Sequence, residues 1–350
     1  MEFIIGSKEK TLFMKYMFTP LKNLAFVTSF LACVPCYAFD SSATEKQANS
    51  SIEELYHKLD HMPNISMPQR IDWISKQFLG VPYLLGSLGE GPRARYDQFP
   101  QYRVDGFDCD TYVNTVVSLA LANSLPAFQQ CIKKMRYRNG EVAYIQRMHF
   151  TGIDWNQAHQ QAGLFKDITL AITDEHQQPV AQFAKALIEK PNWYAYKTIT
   201  TIRLQNAEKT QQEARLAELK TKGAKLAVAK EKVPYLPLNV LFPTKNKPNM
   251  HLFAQIPDGA IIEIVRPNWD LREKIGTALN ISHLGFAIRH NEQLYFREAS
   301  SEYGKVVDVP LVEYLQKALE SPTIKGINVQ IIVPQKASTK DCTMQVSIPH

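Results

Sequence analysis

The chain has 350 residues, 45% of them hydrophobic and 21% charged, the profile of a globular protein; this excludes disordered, collagen-like and fibrous classes. Its formal net charge of +6 is too mild to argue for a nucleic-acid partner and implies at most a weak attraction to anionic polymers.

Lys8, Lys10, Lys15 and Lys22 precede the apolar run 24–34 (LAFVTSFLACV) and then Cys36-Tyr37-Ala38. This reads as a signal peptide over residues 1–38, with Met14 and Met17 as alternative starts. A spanning helix needs about 20 apolar residues, so no stable membrane span is expected. Export to the periplasm is the preferred reading. Leu31-Ala32-Cys33 leaves a lipoprotein open, although Phe30 fits a lipid-attachment box poorly, and full secretion is the other alternative.

Removal of the signal leaves Cys109, Cys131 and Cys342, an odd number that requires a reactive thiol or an intermolecular bridge in an oxidising compartment. No Cys or His pair has zinc-ligand spacing, so neither a metal nor another cofactor is expected.

Residues 39–50 (FDSSATEKQANS) read as a flexible leader, and Ser51-Ile52-Glu53-Glu54 as the capped start of a short helix. A second helix is predicted around Pro68 to Phe78. Gly80-Val81-Pro82-Tyr83 ends it and opens a loop rich in Gly, Pro and Tyr that runs to Gly106. From Asp108, Tyr112, Val113, Val116, Val117 and Ala120 fall at helical spacing, with Asn123, Ser124 and Pro126 closing the helix. Residues 206–231 read as a charged helical insertion carrying Leu216, Leu219 and Leu226 on one side, with too few heptads for a coiled coil.

The last third is different: 260–265, 284–288 and 294–297 are short β-rich segments separated by turn residues, as in an antiparallel sheet. A helix bearing cysteine, followed by a sheet bearing histidine, is the order of papain-like α+β hydrolases. One catalytic domain over 51–340 is expected.

Cys109 falls in the first turn of its helix. A thiol attacks as thiolate, and the unpaired N–H groups of a helix N-terminus favour that anion and can also donate to an oxyanion. Asp108 and Asp110 would oppose this if they faced the sulfur, and a buried structural cysteine fits the placement equally well. His283 shares a strand face with Gly285 and Ala287, whose small size predicts open space above the ring. If the following strand returns through a tight turn at Asn291-Glu292, His290 faces Gln293, Gly285 faces Glu298 and His283 faces Ser300. Glu298 then lies diagonal to His283, where its carboxylate could orient the imidazole. A slip of one residue would put it on the wrong face.

These residues, with Phe78-Leu79-Gly80-Val81-Pro82-Tyr83, Phe107-Asp108-Cys109-Asp110-Thr111, Arg136-Tyr137-Arg138, Arg147-Met148-His149-Phe150, Asp154-Trp155, Ile256-Pro257-Asp258-Gly259, Ile281-Ser282-His283-Leu284-Gly285 and Ala299-Ser300-Ser301, resemble the NlpC/P60 superfamily, and within it the DUF1460 branch. The resemblance spans about 52–333. It implies a papain-like fold, a Cys109 nucleophile, a His283 base, a polar third member at Glu298, and the Tyr83 hydroxyl beside the oxyanion site. It also implies N-acetylmuramoyl-L-alanine amidase activity on peptidoglycan fragments, with anhydro-muramyl ends as candidate substrates. The branch usually has His where Glu298 stands, and an apolar residue and an acid where Asp110 and Asn114 stand. The stretch 206–231 is longer than the branch requires.

Asp108, Arg147, His149, Asp154, Trp155 and Ser300 are the candidate substrate-binding residues. Trp155 is read as a stacking face for sugar, and His149 as a rival base that follows the cysteine helix too closely to lie on the later sheet. An endopeptidase cutting between D-glutamate and the diamino acid of the stem peptide is the nearest alternative, with Asp108 gripping a free amine. A non-catalytic wall-binding protein is the other, although it would have been expected to lose Cys109 or His283. A thiol hydrolase or acyltransferase acting on a host or competitor target is a third.

Overall fold

The computed structural model describes residues 40–62, 64–245, 247–340 and 342; residues 1–38, expected to be a signal peptide, lie outside them. Helix α1 (Ser41–Asp60) begins at Asp40, whose carboxylate accepts from the Ala43 amide at 3.0 Å. The leader expected over 39–50 is therefore helical from Ser41, and Ser51 is not a cap. Ala48, Ile52, Leu55 and Leu59 form one buried stripe. The polar residues that suggested flexibility are the outer face of that helix.

Helix α2 (Met67–Lys76) starts with a capping box between Ser66 and Gln69. Helix α3 (Cys109–Leu121) carries the expected apolar positions. Ser124 does not close α3 but caps α4 (Leu125–Arg136) by accepting from Ala127 N. A disulfide joins Cys131 of α4 to Cys342, and Cys109 is outside any disulfide among the described residues.

The strands are β1 (Phe165–Asp167), β2 (Gln182–Glu189), β3 (Val228–Pro237), β4 (Ile261–Asp270), β5 (Ala278–His290), β6 (Gln293–Ser300), β7 (Lys305–Pro310) and β8 (Gly326–Ile332). They form an open antiparallel sheet in the order β2-β3-β8-β4-β5-β6-β7, with β1 added on β8, giving a mixed α+β fold. Helices α1 to α4 cover one face, where Val113, Val116, Leu284, Phe286 and Ile288 share a core. On the other face, Ile262, Ile264, Phe296 and Val329 pack with Leu252, Leu311 and Leu315. Arg297 is fully buried and bidentate on Asp308, and also reaches Asp72 at 2.8 Å, tying α2 to the β6–β7 edge.

Residues Lys209–Gly223 form the charged helix, with Leu219 buried and Leu216 and Leu226 packed beside it. The helical reading of 228–231 is corrected: these residues open β3, with Lys230 opposite Leu187 and Glu231 opposite Ala186. Pairing along β2 overrides the helical preference of this Ala, Lys and Glu run. No described helix is long and apolar enough to cross a membrane.

Candidate active site

Asp108 is the N-cap of α3. One of its carboxylate oxygens accepts from the Thr111 amide and hydroxyl at 2.8 and 2.7 Å, and the other accepts from Gly86 N at 2.8 Å. The Thr111 hydroxyl also takes the Asp108 amide at 2.9 Å, so the capping box holds Cys109 at the first helical position.

The β5–β6 hairpin supplies the partners. Asn291 and Glu292 have φ of 49° and 66°, the left-handed conformation of a type I′ turn, and pair His290 with Gln293 and Phe286 with Arg297. In this register Glu298 reaches His283, and its Oε2 is hydrogen-bonded to His283 Nε2. His283 also interacts with the Cys109 sulfur. Burial disfavours the imidazolium, but the Glu298 carboxylate and Cys109 outweigh it and hold His283 well above its ordinary range.

Open space above His283 is not what the structure shows. Phe296 meets the ring edge-on at 5.5 Å and Tyr314 lies nearly parallel at 6.5 Å, while Cys109 and His283 are both buried. A Cβ at Gly285 would come within 2.7 Å of the Phe296 ring, so the small residue admits an aromatic neighbour and leaves no void. Tyr83 is tied by a parallel bridge to Phe107, two residues before the thiol, and its amide donates to Gly304 O at 2.8 Å.

A cavity of about 310 Å³ adjoins this helix end, lined by the cap Asp108 with Asp110, Thr111 and Asn114 of α3, and by Arg147, His149, Trp155, Trp193, Lys197 and Arg203. Such a volume accommodates a small ligand or part of a larger one.

Residues 73–324 match a family described as AmiA-like, N-acetylmuramoyl-L-alanine amidase-like. The chain belongs to this family. It is 62% identical to a Legionella pneumophila protein of the DUF1460 family, over 86% of this chain and 99% of that one, with a TM-score of 0.84. An N-acetylmuramoyl-L-alanine amidase from Bacteroides uniformis is 25% identical over 77% of this chain and 99% of its own, with a TM-score of 0.53. No curated protein matches the chain.

In this AmiA-like protein Cys109, His283 and Glu298 come together and the Tyr83 backbone runs beside Phe107, but the other candidates divide. Asp108 lines the cavity with its carboxylate already bonded, as above. Arg147 lines it too, yet its guanidinium pairs with Glu90 and, at 3.1 Å, with Asp97, and stacks on Tyr144. It belongs to a buried ion network rather than a free rim. Burial, with Arg147 and Lys197 nearby, keeps His149 neutral. Its Nε2 bonds Tyr144 O at 3.0 Å, and its ring lies between Tyr144 and Trp193.

Trp155 is buried, donates to Asn114 Oδ1 at 2.8 Å, and packs on His159 and Phe165. It lines the cavity as a buried ring packed into the core, not as an open stacking face. Asp154 accepts from Arg138 and Lys190 and lines a separate cavity. Ser300 is buried at the end of β6, opposite Lys305. Sequence reasoning missed Asp97, Trp193, Lys197 and Arg203. The run Trp193-Tyr194-Ala195-Tyr196-Lys197, an aromatic cluster ending in a cation, was the available signal.

Proposed function

We propose that this protein is an exported cysteine amidase of papain-like, NlpC/P60 type that hydrolyses the amide between N-acetylmuramic acid and L-alanine in peptidoglycan fragments. The observation that carries the reading is the Cys109–His283–Glu298 constellation at the N-terminus of α3, in a chain of the amidase-like family. The name of the Bacteroides uniformis relative supports the choice of bond, and the Cys131–Cys342 disulfide suits an oxidising compartment.

In this mechanism His283, held protonated by Glu298, carries the proton of the Cys109 thiol from the start, and the sulfur adds to the lactyl carbonyl carbon. The amide N–H of Cys109 and the Tyr83 hydroxyl stabilise the resulting oxyanion. Protonated His283 gives its proton to the leaving L-alanine nitrogen as the C–N bond breaks, leaving a thioester. Water, deprotonated by the same imidazole, then releases the muramic acid carboxylate and restores the thiol. Glu298 holds the ring orientation and offsets the imidazolium charge throughout.

Mass spectrometry of defined muropeptides incubated with the enzyme tests this reading. Free N-acetylmuramic acid and an intact stem peptide with an unblocked L-alanine amine are expected. A muramyl dipeptide product would instead place the cut after D-glutamate and overturn the amidase reading.

A further inference from the structure

Most charges around the cavity beside α3 are already spoken for. Asp97 holds Arg147 and Arg203, the Arg203 Nε at 2.8 Å. Arg136 donates to the carbonyls of Gly89 and Gln101, both at 3.0 Å. The Asp108 carboxylate caps α3 and His149 is neutral.

Lys197 is the exception. Its ammonium lies over the Trp193 ring, 3.2 Å from the centroid, and makes no ion pair among the described residues. Asp110, next to Cys109 in the first turn of α3, lines the same cavity, and burial raises its carboxyl above the ordinary range. The lining therefore offers both a carboxyl next to the nucleophile in sequence and an ammonium that makes no ion pair among the described residues.

From this we infer that the cavity takes the peptide half of the substrate, with Lys197 binding a carboxylate of the stem peptide. The inference rests on the amidase reading above. A freed L-alanine amine would lie at the Asp110 end, where a carboxylate favours it. The next acidic residue of the peptide would then extend toward Lys197. The sugar is the less suitable occupant, because Trp155 and Trp193, although they line the cavity, are almost fully buried and present little ring face to it. Burial, and Arg147 second, bring Lys197 down to about 7, so a carboxylate arriving there restores the charged form and gains a charge-assisted hydrogen bond.

The test compares two probes with the full-length enzyme: N-acetylmuramyl-L-alanyl-D-glutamate and the same compound with its α-carboxyl amidated. A charged hydrogen bond of this kind corresponds to about tenfold in affinity. KM for the acid is expected to be about tenfold below that for the amide in the wild type. Lys197→Met should erase the difference with kcat held, and Lys197→Arg, which keeps the charge, should restore part of it. Equal KM for the two probes in the wild type, or a preference that survives Lys197→Met, overturns the inference while leaving the amidase reading standing. Preference for an amidated peptide on a 6-phosphorylated sugar over its unphosphorylated form would put the sugar in the cavity and also overturn it. Failure of the wild type to cut either probe removes the amidase reading and this inference with it. Matching thermal melts of the variants show that the KM changes are not unfolding.

Discussion

Glu298 reaches His283 diagonally across the β5–β6 hairpin, and the bond between them depends on the register set by the turn at Asn291-Glu292. Together with Cys109, a carboxylate at this place offsets the desolvation of the buried imidazole. Glu298→Gln keeps the shape and removes the charge, so kcat should fall on the order of 10²-fold without vanishing. Cys109→Ala should lose turnover entirely while retaining the fold. An NMR titration should place the wild-type His283 above the usual histidine range, and the Glu298→Gln imidazole well below the wild-type value, since burial remains and its offset is gone. Unchanged kcat in Glu298→Gln would show that the carboxylate is only a structural neighbour.

The Cys131–Cys342 bridge closes a loop of sequence separation 211, pinning the chain's end to α4. In the chain-entropy picture, removing it costs about 2–4 kcal/mol. Denaturant unfolding of the Cys131→Ser, Cys342→Ser double variant should therefore show a lower midpoint than the oxidised wild type. The wild type under reducing conditions should approach the variant. Coincident curves for all three would mean that the bridge contributes nothing to stability.

Buried acids on β4 and β3 give a second, independent handle. Burial raises Glu263 to about 8 and Glu231 to about 7, against hydrogen bonds from Asn156 and Asn280 respectively. The folded chain thus holds protons that the unfolded chain releases near 4.5, and stability should fall as pH rises from there to about 8. Glu263→Gln preserves the acceptor for Asn156 and cannot ionise. It should match the wild type near the low end of that window and exceed its stability at the high end. Parallel melting curves across the window would refute the assignment.

The site was legible in the sequence wherever local rules decide. Asp108 before an apolar helix announced the cap that places Cys109, and Asn291-Glu292 between two β-rich runs fixed the register that delivers Glu298 to His283. What depended on distant partners was not legible. Nothing local says that Arg147 will be consumed by Glu90 and Asp97, that Trp155 will pack inward on Phe165, or that Phe296 and Tyr314 will close over His283. The helix over 41–50 was hidden because its polar face dominates the composition while its apolar stripe is four residues long.

Asp108 decides between structural and substrate-gripping roles for the acid before the nucleophile. Its oxygens serve Thr111 and Gly86, which leaves it a cap, whereas an endopeptidase reading would have it hold a substrate amine. Asn caps a helix about as well as Asp, while Ala costs roughly 0.5–2 kcal/mol. Asp108→Asn should therefore keep the cap on Thr111 and change KM little, because its side-chain oxygen can still accept at the helix end, while the bond from Gly86 N is lost. Asp108→Ala should lower the melting temperature and, by loosening the first turn of α3, reduce kcat as well. If the charge itself gripped the substrate, Asp108→Asn would raise KM sharply with the helix cap retained. That outcome would return Asp108 to the binding site and strengthen the endopeptidase reading.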